Sequence, residues 1–416
     1  MKKHRILVSA YGCEPLKGSE SGVGWNWILQ MAKNNELHVI TRSNNQGPIE
    51  MHLPHEVKNN IHFHYYDTGK CIRKFKNRAK GLYFYYFFWQ LGIISVIRKL
   101  EKKHRFDYSM HLTFGSIWMP TFLFLFNIPF IWGPVGGGDG EPKSFLKLLP
   151  LKQRVMWYIR CALNYTTILN PLIFFSSYRA KVILVRTKNS SNIIPKPFRS
   201  KSKIILETAM EPQVFNYIKE KNTNDGCVRL ITTGRLMPSK NILTAVRSLK
   251  YVPASYPVIF TIVGSGIEKA KILKEIEVNN LTHRVQFIEE ITRENVLKEL
   301  TKSDIFLFPS LREGGSWALM EAMVVSLPVI CLKWAGMEVI MDDNSAICLP
   351  VTNPEQMSKD MAIAICKLID NPDLMNQMGK VGRERIKTVF NWESKAVFMD
   401  NLFRELDEHE LNDQHP

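Results

Sequence analysis

The sequence predicts an α/β chain made of two doubly wound, parallel-sheet domains. Short apolar, β-branched runs alternate with helical patterns from one end to the other, which is the mark of parallel βαβ units. The chain has 416 residues, enough for two or three domains at about 150 residues each. The runs also fall into two series, parted by the polar stretch 216–225, which reads as a linker.

In the first series the predicted strands are residues 6–9, 37–41, 61–65, 108–111, 130–132 and 182–186. In the second they are residues 230–233, 258–263, 285–287, 305–309, 329–332 and 346–349. The domains are accordingly placed at 1–215 and 226–390. The last segment, 392–411, is helical in pattern and is expected to cross back to the first domain. Ligands of open α/β sheets bind outside the carboxyl ends of strands, so the informative residues should directly follow them.

Composition narrows the function. With 45% hydrophobic and 23% charged residues, the chain is neither disordered nor fibrous. Residues 1–210 hold 31 Lys+Arg against 11 Asp+Glu, whereas residues 211–416 hold 24 against 28. The basic half points to an anionic partner: nucleic acid, a phosphorylated small molecule or anionic lipid. Seven scattered cysteines without a CxxC pair fit neither a disulfide framework nor a zinc site, and favour a reducing cytoplasm. The amino terminus reads as a first strand rather than a signal peptide.

Residues 81–97 are apolar and rich in aromatics, with Lys and Arg on both flanks, including Lys76, Arg78 and Lys80. The run is shorter than the ~18 apolar residues a span requires, and Gln90 and Ser95 interrupt it. Three readings stay open: a buried domain helix, a helix lying partly in a membrane interface and a true span. Interfacial aromatics beside cations favour the second over the third.

Chemistry concentrates after the strands. Gly234-Arg235-Leu236-Met237-Pro238-Ser239-Lys240 follows residues 230–233 and precedes a helix expected from about Asn241. Two cations across a turn at a helix start suit a diphosphate. After residues 305–309 comes Ser310-Leu311-Arg312-Glu313-Gly314-Gly315-Ser316, then a helix carrying Glu321. The small residues Gly314, Gly315 and Ser316 leave backbone N–H groups open to an anion or to sugar oxygens. Glu313 can hold sugar hydroxyls, and Glu321 the vicinal hydroxyls of a ribose. Its neighbours are apolar, so a buried Glu321 carboxylate needs a partner.

Glu313 and Glu321 bracket seven residues, with Arg235 and Lys240 upstream. In this arrangement the chain resembles, over nearly its whole length, the family-4 retaining glycosyltransferases, whose two Rossmann-like domains face a cleft in the GT-B manner. The first half agrees. A glycine-rich segment from Gly12 through Gly18, Gly22 and Gly24 is expected as a loop leading into a helix at Trp25. The resemblance implies that this loop lies near the donor, that His111 sits near the reacting sugar carbon, and that Gly136, Gly137 and Gly138 shape the acceptor side. One departure is visible: the family's usual glycine after residues 285–287 is replaced by Ile288-Glu289-Glu290.

The resemblance implies transfer of a sugar from a nucleotide diphosphate to a hydroxyl with retention. Arg235 and Lys240 would stabilise the departing diphosphate, Glu321 the ribose and Glu313 the sugar. No DxD triplet is present, so no metal and no further cofactor is expected. The acceptor implied is a glycan, in particular a polyprenyl-diphosphate-linked glycan of capsule, exopolysaccharide or lipopolysaccharide synthesis. The enzyme is then expected to be cytoplasmic and peripheral on an anionic membrane. A nucleotide-sugar 2-epimerase of the same architecture is the alternative. Nucleic acid is not expected as a partner, because no binding signature for it accompanies the charge.

Overall fold

The computed structural model describes residues 2–74, 81–220, 226–289 and 291–414. Part of the expected linker, residues 221–225, lies outside them, as do Lys76, Arg78, Lys80 and Glu290. Seven parallel strands form the first sheet: β1 (Arg5–Ser9), β2 (Glu36–Arg42), β3 (Ile61–Tyr66), β4 (Tyr108–His111), β5 (Phe130–Val135), β6 (Ala180–Val185) and β7 (Ser202–Ile204). Their order is β3-β2-β1-β4-β5-β6-β7. The second sheet has six: β8 (Val228–Thr233), β9 (Val258–Val263), β10 (Val285–Ile288), β11 (Ile305–Phe308), β12 (Val329–Leu332) and β13 (Ala346–Leu349). Their order is β10-β9-β8-β11-β12-β13, again parallel throughout.

Both sheets start in the middle, wind outward to one edge and return to wind toward the other. The direction reverses between β1 and β4 and between β8 and β11, the switch points where such folds place their ligands. The central strands are almost wholly apolar and buried, as strands covered by helices on both faces must be. The strand β7 was not expected. Its three residues, Ser202-Lys203-Ile204, carry no apolar run and sit at the sheet edge, where burial demands little of the sequence.

The chain divides into two compact units. One comprises Met1–Gly138, Ala162–Glu207 and Trp392–Pro416; the other comprises Asp139–Cys161 and Thr208–Asn391. The expected cut at 215 therefore moves to Glu207, and Asp139–Cys161 groups with the second sheet. Its attachment is specific: the Trp334 indole donates to the Gly140 carbonyl at 2.8 Å.

The terminal helix Trp392–Gln414 belongs to the first unit, as expected. There Asp407 accepts a hydrogen bond from Tyr108 at 2.8 Å and lies 3.0 Å from His4, while the Phe403 ring packs 5.0 Å from that of Tyr108.

The aromatic segment becomes the helix Leu82–Glu101 and is a core element. Tyr85, Tyr86, Trp89, Ile93 and Ile97 recur at helical spacing and are buried in the main cluster of the first unit. Two of its aromatic polar tips are satisfied inward: Tyr86 donates to the Pro120 carbonyl at 2.9 Å and Trp89 to that of Tyr66 at 3.0 Å. Among the described residues, no helix is long and apolar enough to cross a membrane.

Candidate functional site

In the second unit, parallel pairing of β8 with β11 sets the strand ends side by side. The loops that follow are then stitched together: the Leu311 amide donates to the Ser239 carbonyl at 2.8 Å. This joins Lys240 to Glu313 in an ion pair, although 73 positions separate them in sequence. The pair is largely withdrawn from solvent. Ser310 also donates to the Glu313 carboxylate, at 2.8 Å, and the Lys240 ammonium lies 5.7 Å from the centre of the Phe308 ring. Arg235 is exposed and has no ion pair among the described residues.

The helix expected from about Asn241 is shorter than a dipole argument needs. Pro238–Lys240 forms a 3-10 turn, Asn241 takes a left-handed conformation (φ 54°), and the α-helix Ile242–Ser248 has seven residues. Side-chain charge, rather than the helix end, therefore dominates here.

Glu313, Gly314 and Gly315 form the loop after β11, and Ser316 caps the helix Trp317–Val324 by accepting from the Leu319 amide. Both neighbours of this loop require bare backbone. A Cβ at Gly315 would stand 1.9 Å from Thr208 Oγ1, and one at Gly336 would stand 1.7 Å from the Gly314 carbonyl oxygen. Gly336, just past β12, also donates its amide to the Glu313 carbonyl at 3.0 Å. Among the described residues, Thr208 Oγ1, Thr233 Oγ1 and Trp317 Nε1 are buried side-chain atoms of this unit without a hydrogen-bond partner, where such groups are ordinarily paired.

Glu321 is buried, and the partner it needs is Arg293, whose Nε lies 2.5 Å from Oε1. Arg293 also donates to Glu211 at 3.0 Å and lies 5.5 Å over the Trp317 ring. Burial pushes the Glu321 carboxyl above its ordinary value, and the Arg293 guanidinium pulls it back. Sequence reasoning required such a partner without identifying it, because Arg293 comes from the helix Arg293–Thr301 and no local spacing links it to Glu321.

In the first unit, three strand-end loops interlock. Gly12 donates its amide to Thr113 Oγ1 at 2.9 Å, Gly115 to Glu20 Oε1 at 2.7 Å, and Gly136 to the Gly115 carbonyl at 2.7 Å. His111, Gly22, Gly24, Gly136, Gly137 and Gly138 are thereby gathered around the carboxyl ends of β1, β4 and β5. The expected loop is shorter than predicted, since the helix Ser19–Met31 already contains Gly22 and Gly24. Gly24 is required by packing, because a Cβ there would stand 2.0 Å from the Gly12 carbonyl oxygen.

His111 ends β4 opposite Ser9 and is fully buried. Desolvation pushes its imidazole down to about 4, with the Phe114 backbone offsetting part of the shift, so the ring is neutral at physiological pH. Neither ring nitrogen reaches a hydrogen-bond partner in adequate geometry.

Comparison with known proteins follows from this geometry. Residues 214–385 match the family of group 1 glycosyl transferases. An uncharacterised glycosyltransferase of Methanocaldococcus jannaschii is 28% identical over 193 residues, 45% of this chain and 47% of its own. The amylovoran biosynthesis glycosyltransferase AmsK of Erwinia amylovora is 27% identical over 196 residues, again 45% and 47%. The chain thus spans about half the length of the curated relatives it matches. The structure of Anabaena HepE in complex with UDP superposes with a TM-score of 0.60 at 12% identity, covering 97% of this chain and 100% of that one. The fold is accordingly of the GT-B type, and residues 214–385 match the group 1 glycosyl transferase model.

Two outcomes follow from the buried charges. Arg293→Gln leaves Glu321 buried without its cation and should cost about 1–3 kcal/mol in urea unfolding. Adding Glu321→Gln to it should recover part of that loss, and additive costs would show that the two residues do not interact. His111 behaves differently. The unfolded chain takes up a proton near the ordinary imidazole value of 6.5, whereas the folded one resists it down to about 4. Stability should therefore fall as pH drops through that window, by up to about 1.4 kcal/mol per pH unit for this one proton. Unfolding measured across pH should show a shallower fall in His111→Gln.

Proposed function

We propose that the protein is a retaining, metal-independent glycosyltransferase that moves a sugar from a nucleotide diphosphate to a hydroxyl of a lipid-linked glycan. The observation that carries this is the half-buried Lys240–Glu313 pair at the switch point of the second sheet. In the free protein each charge neutralises the other. A diphosphate would take Lys240 into charge-assisted hydrogen bonds, with Arg235 alongside, and leave Glu313, still held by Ser310, to accept from sugar hydroxyls. As the glycosidic bond to phosphate lengthens, negative charge grows on the leaving diphosphate, where the two cations are already placed. Glu321 and Arg293 would serve the ribose. The Gly315 and Ser316 amides, with Thr208 beside them, supply further polar contacts.

On the first unit, His111 and the glycines Gly22, Gly24, Gly136, Gly137 and Gly138 are assigned to the reacting carbon and the acceptor. A neutral buried imidazole is compatible with positive charge developing on a sugar ring. The nucleotide is favoured by the match to HepE, which was solved with UDP. A polysaccharide product is favoured by the relation to AmsK of amylovoran biosynthesis.

A membrane-borne acceptor is supported by a different element. The helix Leu151–Tyr165 has no buried residue. Its Leu151, Val155, Met156, Tyr158, Ile159 and Leu163 are between 46% and 71% exposed and share one arc of the helix. Residues 142–206 contain 13 Lys+Arg and no Asp or Glu. Apolar side chains within a stretch of excess positive charge suit the interface of an anionic bilayer, each nearby cation contributing about 1 kcal/mol. We place the enzyme peripherally on the cytoplasmic face.

Two experiments test these readings. Arg235→Ala and Lys240→Ala should each lower turnover of a nucleotide sugar by about 10²–10³ with folding intact, and EDTA should leave wild-type turnover unchanged. Normal rates in both variants would remove the assigned site, and loss of turnover in EDTA would remove the metal-free mechanism. For the membrane, the chain should sediment with phosphatidylglycerol vesicles at low salt and be released at high salt. Val155→Glu with Ile159→Glu should weaken sedimentation, and an unchanged bound fraction would show that this helix is not the contact.

A further inference from the structure

At the opposite end of the first sheet, far along the strands from His111, a second group of side chains converges. Glu36 opens β2 beside Arg5, the first residue of β1, whereas His111 closes β4 beside Ser9. Strand alternation puts Glu36 and His38 on one face. Parallel register sets His62 of β3 directly across from His38, with His64 two places on. The His104 ring lies 4.4 Å from that of His38. Four of the eleven histidines in the chain therefore meet at one point.

The distances are those of a metal-ligand set. His38 Nε2 is 3.3 Å and His62 Nε2 3.7 Å from Glu36 Oε1, and the three atoms all lie within 4.8 Å of one another. Zinc bonds of about 2.0–2.2 Å in tetrahedral array put neighbouring ligand atoms roughly 3.3–3.6 Å apart. Two of the three edges are thus nearly met, and the half-exposed His62 ring is free to close the third.

The outer contacts also fit. His38 Nδ1 lies 3.1 Å from His64 Nε2; with that bond donated from Nδ1, the Nε2 lone pair of His38 is turned toward Glu36. Arg5 grips Glu36 with Nε on Oε1 at 2.9 Å and Nη2 on Oε2 at 3.0 Å. This holds the carboxylate ionised and oriented, and Oε1 retains a second lone pair.

We propose that Glu36, His38 and His62 bind one divalent transition-metal ion of the zinc, cobalt or nickel type, with His64 as the residue that positions His38. Two imidazoles and one carboxylate favour such borderline ions over calcium or magnesium. The ion would tie the edge strand β3 to β2 and leave the strand-end loops untouched, so it is structural and separate from sugar transfer.

The test uses the untagged full-length chain, stripped with a chelator and titrated with Co²⁺. One equivalent should give ligand-field absorption of a four- or five-coordinate ion without a thiolate charge-transfer band, and Zn²⁺ should displace it and raise the melting temperature. His62→Ala, at an exposed position where folding is spared, should weaken binding at least about 10-fold, and His64→Ala should weaken it about 10–100-fold. His52→Ala, in the separate helix Gln46–His52, should change nothing. Octahedral background absorption, a thiolate band, or equal affinity in His62→Ala would each overturn the proposal.

Discussion

The proposed donor site depends on one contact, the ion pair of Lys240 with Glu313. It exists because β8 and β11 are neighbours in space while far apart in sequence, with their carboxyl ends at the place where the strand order reverses. The backbone bond from Leu311 to Ser239 fixes the two loops at a spacing where a lysine and a glutamate must meet. An exposed pair of this type contributes little to stability. A half-buried pair that also accepts from Ser310 has a different use: each side chain is held in place by the other, and the desolvation cost of both is met before any ligand arrives. On the proposed function, an incoming dianion would exchange one partner for another and would not have to assemble a site.

Much of this was legible in the sequence. All six strands expected in each half are present, because central strands of a parallel sheet are buried on both faces and read as unbroken apolar runs. Arg235, Lys240, Glu313, Gly314 and Gly315 were legible as residues directly after such runs. The illegible features share a cause, in that each depends on a neighbour remote in sequence. Arg293 matters only because it reaches Glu321, and Gly336 only because its Cα rests on the Gly314 carbonyl. Gly22 and Gly24 looked like loop residues, yet they lie inside a helix whose first turns press against the Gly12 backbone. Strand β7 has too few apolar residues to announce itself.

The segment Asp139–Cys161 illustrates the same limit at the scale of a domain. It follows directly on a strand-end loop of the first sheet, so sequence order assigns it to the first domain. Side-chain chemistry assigns it to the second. Beyond the bond from Trp334 to Gly140, Glu141 lies 3.3 Å from Arg160 and 3.9 Å from Arg312, while the Trp157 indole donates to the Glu141 carbonyl at 3.0 Å. Glu141 and Glu207 are the acids that bound the long basic stretch. Glu141 is therefore placed where it organises cations of its own unit, Arg312 among them, one residue from Glu313.

Two helices rich in large apolar residues meet opposite fates, and part of the reason lies in what their polar residues can reach. In Leu82–Glu101, Tyr86 and Trp89 are aromatic with a polar tip, and each tip finds a backbone carbonyl, so the ring-bearing face can be buried at no loss of hydrogen bonds. In Leu151–Tyr165 the inward contacts are made by Trp157 and Arg160, which bind Glu141 and shield Gly140. That choice of inner face turns Leu151, Val155 and Ile159 outward. The buried helix is the more apolar of the two on average, but the position of the residues able to form polar contacts decides which face turns inward. An outward apolar face is a hazard in water unless something covers it or keeps copies apart. An excess of lysines and arginines over residues 142–206 does the second through mutual repulsion, and on the proposed function the same charges would select an anionic surface for the first.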